Sequence, residues 1–456
     1  MTTIGLSMIV RDAAATLPRC IASVRGAVDE IVLADTGSRD GTVQLAEDLG
    51  VQVISIPWED DFAKARNRAL AALHADWVLM LDADEMLDPH AEKELRKLTS
   101  RGAADGYQVS IRNYFRNPEQ RIWNVAARPN DSGLPEAREY AAYIDHQNVR
   151  LFRRHPEIYF EGCIHETVGW RLRETGRNIG EARFLIHHFG MADGDAAAQE
   201  RKTIYYRELS RKKVAEMPGN AQAHLELGIL ELDFFKSNRA ALDSFERACE
   251  LNPRLGVAWF FAGVANLRLG GFATAVRCFE SAEKFGQDAA ETLELRGDAE
   301  YNGGHFAQAR RSYGRAIQRA GKQPALESKL GLAEVRSGSA LEGIRRLNDA
   351  KRAAPRDRAV HDRLIGALIF TGRVEDASHA AEDKISETDA TVEDFLKAAS
   401  ICAKLKQVPR AISILRRGLN QFPDAASLAA PLREFENQEF RESAPLPAAE
   451  AVLQKK

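Results

Sequence analysis

Residues 78–87, V-L-M-L-D-A-D-E-M-L, run four apolar side chains directly into two carboxylates, Asp82 and Asp84, which are one residue apart. A short apolar run that ends so abruptly predicts a buried strand whose carboxyl end opens into a loop. Two acids at the mouth of a buried strand are costly unless a cation meets them. Carboxylate oxygens suit Mg2+ and Mn2+, especially where the phosphates of a substrate complete the coordination. This stretch therefore predicts a site for a divalent metal and a diphosphate.

The residues before this stretch alternate between strand and helix patterns. Strands are predicted at residues 3–10, 30–34, 51–56 and 77–81, and helices at 14–24, 43–49 and 60–73. This alternation favours a Rossmann-like α/β fold with a mostly parallel, doubly wound sheet. In such a sheet, ligands bind beyond the carboxyl ends of the strands.

Polar side chains follow three of these predicted strands. Arg11 and Asp12 come after the first strand, Asp35 after the second, and Asp82 and Asp84 after the fourth. Because the carboxyl ends of parallel strands meet at one edge of a sheet, we expect the three groups to converge there. Their convergence is a stronger signal than an isolated D-x-D, which is frequent in surface loops.

Four motifs in a fixed order carry a family resemblance: M-I-V-R-D, V-D-E-I-V-L-A-D-T-G-S-R-D-G-T, W-E-D-D-F-A-K-A-R-N and D-W-V-L-M-L-D-A-D-E. Together they resemble family-two glycosyltransferases of the GT-A fold, in particular bacterial members with C-terminal tetratricopeptide repeats. The match is close over roughly the first 90 residues and looser through residue 190. The resemblance implies an inverting, hexosyltransferase-type enzyme that uses a nucleotide-diphosphate sugar, with Mn2+ or Mg2+ as cofactor.

The same resemblance assigns roles to the three aspartates of the predicted edge. Asp84 binds the metal directly, and Asp82 reaches the ribose or a metal-bound water. Asp35 matches the position that hydrogen-bonds the nucleotide base. The alternative for Asp35 is a helix-capping or turn residue.

Two further groups match donor-binding positions of the family. Val10, Arg11 and Asp12 match the loop that cradles base and ribose, and Arg66 and Asn67 match a segment near the diphosphate or ribose. The fork of an Arg side chain suits phosphate oxygens. The alternative for Arg66 is a solvated helix residue.

Inverting transfer also needs a general base to deprotonate the acceptor. The segment Y-F-E-G-C-I-H-E-T-V, residues 159–168, faces the acceptor by the same resemblance, and we select Glu166 as the base. The alternative is a structural pair between Glu166 and a neighbouring Arg. One of His187 and His188 could complete the metal shell with Asp82 and Asp84, and we select His188. A His at a strand end is also a common hydrogen-bonded structural residue.

Several other enzyme classes are not supported. The sequence has no H-E-x-x-H or H-x-x-E-H zinc signature, no G-x-S-x-G elbow and no G-x-x-x-x-G-K-[ST] loop. Their absence argues against metallohydrolases, serine hydrolases and nucleotide triphosphatases. A formal net charge of −3 argues against a general nucleic-acid binder.

Cysteine usage and hydropathy bear on the compartment. The five cysteines are scattered without a C-x-x-C pair, which favours a reduced cytosolic setting. There is no run of 18 apolar residues for a transmembrane segment, and the first apolar run is interrupted by charge, unlike a secretion signal. We expect a cytoplasmic protein that meets its acceptor in the cytosol or at the inner face of the membrane.

A 34-residue period begins near residue 200. Small and large residues recur at this spacing: Ala248, Ala282, Ala316 and Ala350; Phe245, Phe279, Tyr313 and Leu347; Gly263, Gly297 and Gly331. This period and pattern are typical of tetratricopeptide repeats, in which each unit is a pair of helices. Six units are predicted at residues 220–253, 254–287, 288–321, 322–355, 356–389 and 390–423, the last two being degenerate.

The whole chain is thus predicted to be a GT-A catalytic domain followed by an all-α tetratricopeptide-repeat solenoid. The predicted limits are 1–194 for the catalytic domain, 195–219 for a connecting helix, 220–423 for the repeats and 424–456 for a partly disordered tail.

Stacked helix pairs form a curved surface suited to a peptide or protein segment. Arginine pairs recur on this surface, at residues 310–311, 345–346 and 416–417, and they could line a groove for an acidic partner or be solvated helix faces. The repeats could also form a homodimer.

Two function classes follow from the sequence. The first is an inverting glycosyltransferase whose repeats recruit a protein acceptor or partner, and the intact donor-site residues favour it. A lipid-linked saccharide or a lipopolysaccharide core stays open as acceptor. The second is an interaction scaffold with a vestigial transferase domain.

Overall fold

The structure is a computed structural model that describes residues 2–122, 125–190 and 196–443. The chain divides into two units, Met1–Leu251 and Asn252–Lys456. The strands of the first unit are β1 (Ile4–Val10), β2 (Glu30–Asp35), β3 (Gln52–Ser55), β4 (Trp77–Met80), β5 (Glu85–Leu87), β6 (Gly106–Phe115), β7 (Arg121–Ile122), β8 (Val125–Ala126), β9 (Arg128–Pro129), β10 (Ala142–Arg153) and β11 (Ile179–His188). Its helices are α1 (Leu17–Val24), α2 (Thr42–Asp48), α3 (Phe62–Ala71), α4 (Ala91–Arg101), α5 (Gly169–Glu174), α6 (Ala196–Glu216), α7 (Ala221–Asp233) and α8 (Asn238–Leu251).

One side of the main sheet consists of the four strands that the sequence predicted. They lie in the order β3-β2-β1-β4, and every neighbouring pair is parallel. The register sets Val10, the last residue of β1, opposite Asp35, the last residue of β2. The predicted α/β arrangement is confirmed, and the carboxyl ends of these strands meet at one edge.

Beyond β4 the sheet becomes mixed. The order continues β10-β6-β11-β5, with β10 antiparallel to both β4 and β6, and β11 parallel to β6 but antiparallel to β5. Leu151 of β10 lies opposite Leu79 of β4. Since β10 runs against β4, the residues before Leu151 extend past the carboxyl end of β4, where the predicted site begins.

The uninterrupted apolar run of β4 has a simple cause, since both faces of the strand are buried. Trp77 and Leu79 join a cluster with the buried residues of α1, here called the α1 cluster. Val78 and Met80 point the other way, into a cluster with residues of α3, here called the α3 cluster. A strand covered on both faces has no polar alternation.

Helix α3 begins with a capped turn that fixes the residues following it. The Asp61 side chain accepts a hydrogen bond from the Lys64 backbone N–H at 2.9 Å. This bond satisfies one of the free donors at the helix start. The cap places Arg66 and Asn67 in the second turn, beside the edge of the sheet.

The second unit is helical over its described residues. Its helices are α9 (Gly256–Arg268), α10 (Phe272–Lys284), α11 (Ala290–Asn302), α12 (Phe306–Ala320), α13 (Pro324–Arg336), α14 (Ala340–Ala353), α15 (Arg358–Phe370), α16 (Val374–Glu387), α17 (Val392–Lys404), α18 (Val408–Gln421) and α19 (Ala426–Ser443). Helices α9 to α18 form successive pairs at the 34-residue period, and the predicted tetratricopeptide fold is confirmed.

The recurring glycine of the repeats allows the two helices of a pair to approach closely. A Cβ atom on Gly263 would lie 2.7 Å from the ring of Phe279, and one on Gly297 would lie 2.6 Å from the ring of Tyr313. The glycine and the large residue are therefore complementary halves of one contact.

The predicted domain limits stay predictions, because the two units are defined by how the chain packs and not by the limits of the catalytic domain or the repeats. Within the predicted tail, α19 covers Ala426–Ser443, whereas residues 444–456 lie outside the described residues. In the described parts of the chain, no helix combines the length and apolar character needed to cross a bilayer.

Candidate active site

The loops after β1 and β2 are fastened to each other at the carboxyl edge of the sheet. The Asp12 backbone N–H donates to Ser38 Oγ at 2.9 Å, and Asp12 Oδ1 accepts from the Arg39 N–H at 2.7 Å. Asp12 adopts a left-handed conformation, with φ of 50°. The backbone carbonyl of Val10 accepts hydrogen bonds from both the N–H and the hydroxyl of Thr36. Two of the predicted nucleotide loops thus form one structure.

Asp35 is buried at the centre of this structure. Its Oδ2 accepts the backbone N–H of Gly37 at 3.0 Å and that of Ser38 at 3.2 Å. These bonds are those of a turn-forming aspartate, the alternative weighed from the sequence. Arg11, by contrast, is exposed beside Asp12. The fold therefore brings the predicted base-binding residues together, and part of the hydrogen-bonding capacity of Asp35 is used within its own loop.

The turn after β4 carries Asp82, and both of its oxygens face arginines. Arg66 Nη2 lies 2.6 Å from Asp82 Oδ1, and Arg150 Nη2 lies 3.5 Å from Asp82 Oδ2. Arg150 Nη2 also donates to Glu85 Oε1 at 2.8 Å, and Glu85 Oε2 accepts the Asp82 backbone N–H at 2.8 Å. Arg66 is buried, so the solvated alternative for it does not hold.

The charges of this network shift the pKa values of its members. Burial alone would raise the pKa of Asp82, but Arg66 and Arg150 outweigh it and hold that pKa well below its ordinary value. Burial likewise opposes the charge of Arg66, whose pKa is nevertheless raised by Asp82 and Glu166. Glu85 differs, because burial raises its pKa to about 7 in spite of Arg150. Asp82 and Arg66 are therefore a stable ion pair, whereas Glu85 titrates near neutrality.

Asp84 points away from this network and towards His188. His188 Nε2 lies 3.3 Å from Asp84 Oδ2, and His188 Nδ1 lies 2.7 Å from Asn113 Oδ1. The Asn113 amide nitrogen donates to the Ile144 carbonyl at 3.1 Å, so its oxygen is the atom that faces the imidazole. His188 then carries a proton on Nδ1 and presents Nε2 to Asp84. Burial would lower the pKa of His188, but Asp84 raises it above its ordinary value.

The neighbouring His187 has other partners. Its Nδ1 lies 2.9 Å from the Tyr114 hydroxyl, and its Nε2 faces Asp88 at 3.5 Å. Of the two adjacent histidines, it is therefore His188 that shares a site with Asp84.

The donor atoms fit a divalent cation that takes most of its ligands from phosphate and water. Asp84 and His188 are adjacent, and the missing side chain of Gly190 makes room for the Asp84 carboxylate, because a Cβ atom there would lie 1.7 Å from Asp84 Oδ2. Asp82 is bound to two arginines and is less open. In the described ranges, no group of three or more His, Cys, Asp and Glu is arranged to hold a metal. Mg2+ and Mn2+ sites with few protein ligands and several phosphate or water ligands are common.

The segment that follows β10 carries Glu166, and Asn67 of α3 contacts the same segment. Glu166 Oε1 accepts from Arg66 Nε, so Arg66 joins Glu166 to Asp82. The Asn67 side chain bonds both the N–H and the carbonyl of Phe160, at 2.8 and 2.9 Å. Glu166 therefore forms the pair with Arg66 that was its structural alternative, next to Asp82, and Asn67 holds the segment that carries Glu166.

Sequence reasoning missed Arg150, Glu85 and Asn113. Arg150 lies in the apolar run V-R-L-F of β10, and a lone charge in such a run was the available signal. Glu85 follows the D-A-D motif directly, but its contact with Arg150 depends on strand pairing.

Helix α6, predicted only as a connection, also contacts the site. Lys213 is buried and donates to the Ile164 carbonyl at 2.9 Å, and it pairs with Glu226 of α7 at 2.8 Å. Burial, together with the nearby charges of Glu166, Asp82 and Asp84, raises the pKa of Tyr206 in the same helix to about 12. A helix outside the four sequence motifs therefore contacts the segment that carries Glu166.

Comparison with known proteins adds the following similarities. Residues 7–158 match the model of glycosyl transferase family 2. A TPR repeat-containing protein of Synechococcus elongatus is 34% identical over 236 residues, 50% of this chain and 52% of that protein. An uncharacterized glycosyltransferase of Rickettsia felis is 32% identical over 123 residues, 26% of this chain and 43% of that protein. The chain thus spans about half the length of these curated relatives. A solved tetratricopeptide repeat protein from Parabacteroides merdae has a TM-score of 0.41 and 15% identity, over 52% of this chain and 94% of that one.

Proposed function

We propose that the protein transfers a sugar, with inversion, from a nucleotide-diphosphate donor, because residues 7–158 match the model of glycosyl transferase family 2 and repeated helix pairs follow them. The transfer depends on Mn2+ or Mg2+. The observation that carries this proposal is the Asp84–His188 pair, which lies beside the Asp82–Arg66 ion pair at the carboxyl edge of the parallel strands.

In this proposal the loops after β1 and β2 hold the nucleoside. Asp35 is fixed by its own loop, with Val10, Arg11 and Asp12 on the adjacent loop. Open α/β sheets bind nucleotides at the carboxyl ends of their parallel strands, where these polar groups are fixed.

Asp84 and His188 would hold the divalent cation, which, when bound, offsets the charge that develops on the departing diphosphate. Arg66 adds a fixed positive charge beside them and keeps Asp82 ionised. Asp82 would face the ribose or a metal-bound water once the donor and the metal are bound. Groups held in place before the reaction need no reorganisation as charge develops.

Glu166 is the proposed base that takes the proton of the acceptor hydroxyl. It is supported by position, because one guanidinium, that of Arg66, contacts both Glu166 and Asp82. The competing role is purely structural pairing, and Glu166→Gln separates the two. Loss of transfer with unchanged nucleotide binding supports the base, whereas weaker nucleotide binding moves Glu166 to the donor site.

The repeats are proposed to recruit a protein acceptor or partner. Part of their surface charge is already paired within the second unit: Arg346 binds Glu334 at 2.9 Å and also contacts Glu327, and Arg416 binds Glu436 at 2.7 Å. These pairs favour solvated helix faces at those positions over an open groove for an acidic segment.

The test is calorimetric titration of the full chain with UDP, GDP, CDP and dTDP, with and without Mn2+. Metal-dependent binding of one nucleotide, lost in Asp84→Ala and kept in the matched control Asp145→Ala, is the expected result. Asp145 pairs with Arg112 outside the site. Binding by none of the four nucleotides would overturn the proposal and favour an interaction scaffold.

A further inference from the structure

We infer that Arg150 is a positioning residue of the donor site, which a β-bulge in β10 aims at the D-A-D turn so that it fixes Asp82. The inference rests on the proposed function, since the site that Arg150 positions is the proposed donor site.

The bulge is visible in the pairing of β10 with β6. Val149 pairs with Gln108, and Leu151 pairs with Tyr107, the very next residue on the partner strand. Arg150 therefore has no residue opposite it on β6. An extra residue of this kind bends a strand and re-aims a side chain.

Packing on the two faces of the sheet locates the same bulge. Residues two apart in a regular strand share a face. Val149, however, packs in the α3 cluster and Leu151 in the α1 cluster. The strand therefore changes face at Arg150, which is 6% exposed at the carboxyl end of β4.

The contacts of Arg150 close a ring around the turn. Its Nη2 reaches both Glu85 Oε1 and Asp82 Oδ2, and Glu85 Oε2 holds the Asp82 backbone N–H. Arg66 holds the other oxygen of Asp82. The backbone and both carboxylate oxygens of Asp82 are thus fixed before any ligand arrives, and Asp84 two residues later takes its direction from this turn.

Two nitrogens of Arg150 have no partner among the described residues. Nε and Nη1 are buried without a hydrogen bond, as is Nη1 of Arg66. Buried donors without partners are costly. Retaining two such guanidiniums at one turn agrees with a role in function.

The competing explanation is that Arg150 only neutralises the buried carboxylate of Glu85. Arg150→Lys separates the two roles, because a lysine ammonium keeps the charge that neutralises Glu85 but ends a shorter, more flexible stem, so it does not hold the position of Nη2 between Glu85 and Asp82. A second variant, Arg150→Met with Glu85→Gln, removes both charges and keeps an acceptor for the Asp82 N–H. The matched control is Arg153→Met, an exposed arginine on the same strand.

Each variant is measured for its melting temperature and for the affinity of the nucleoside diphosphate that the wild type binds, titrated with and without Mn2+. We expect Arg150→Lys and the double variant to melt near the wild type and to bind nucleotide about 10–100-fold more weakly in Mn2+. Arg153→Met should bind like the wild type. If either Arg150 variant keeps full affinity, Arg150 is structural and the inference is wrong. No nucleotide binding by the wild type would overturn the proposed function, and this inference with it.

Discussion

Gly190→Ala should abolish metal-dependent chemistry without unfolding the protein. A Cβ atom at this position would lie 1.7 Å from Asp84 Oδ2 and 3.1 Å from His188 Nε2. Ordinary contact begins near 3.4 Å, so the carboxylate oxygen must retreat by 1.7 Å, half of that distance. Asp84 is 35% exposed and can rotate towards solvent, so the cost falls on the site and not on the core.

The size of the effect follows from that displacement. A reacting group misplaced by about 1 Å can cost about 100-fold in rate, which corresponds to roughly 2.7 kcal/mol of transition-state stabilisation. We therefore expect turnover to fall at least about 100-fold, with the Mn2+-dependent part of nucleotide affinity lost.

The assay compares Gly190→Ala with Gly219→Ala, a position where a Cβ atom meets nothing within 4 Å. Both variants are tested for thermal denaturation and for nucleotide titration in Mn2+ and in EDTA. Wild-type affinity in Gly190→Ala would refute the assignment of Asp84 to the metal in this geometry.

Three further predictions concern the surrounding residues. Glu166→Gln should leave nucleotide affinity unchanged and abolish transfer, which a single-turnover assay with saturating donor measures. Transfer by this variant at the wild-type rate would rule out Glu166 as the base. Lys213→Met should cost about 3–5 kcal/mol in urea unfolding, because it leaves Glu226 and a carbonyl without their buried partner; a loss below about 1 kcal/mol contradicts the contact. Glu85 has a folded pKa of about 7 against an ordinary 4.5, so the folded state binds the extra proton and stability falls as pH rises through that window. Glu85→Gln should flatten this fall in unfolding titrations at pH 5 and pH 8, and an unchanged slope would assign the titration elsewhere.

The first half of the sheet was predictable from the sequence because each strand is a short run of mostly apolar residues that ends at polar ones. The run before Asp82 is apolar throughout since both faces of β4 are covered, and polar residues mark where it ends. Convergence of Asp35 with Asp82 then follows from parallel order alone.

The second half was not predictable in the same way. Arg150 reaches the site through a bulge, which is a property of two paired strands, and a single strand's pattern does not contain it. Likewise, the partners of His187 and His188 depend on β5 and β6, which are distant in sequence. Only the register of the sheet distinguishes the two histidines.

Lys213 has a consequence for how such proteins can be recombined. It bonds the carbonyl of Ile164, two residues before Glu166, and it also holds Glu226 in the first helix of the repeat array. A chimera joined at residue 194 or 219 would replace one side of this contact with an unmatched sequence. A junction after Leu251 keeps the contact intact. For exchange between relatives, the first helix pair should therefore be kept with the N-terminal α/β domain, and interchangeable repeats begin with the second pair.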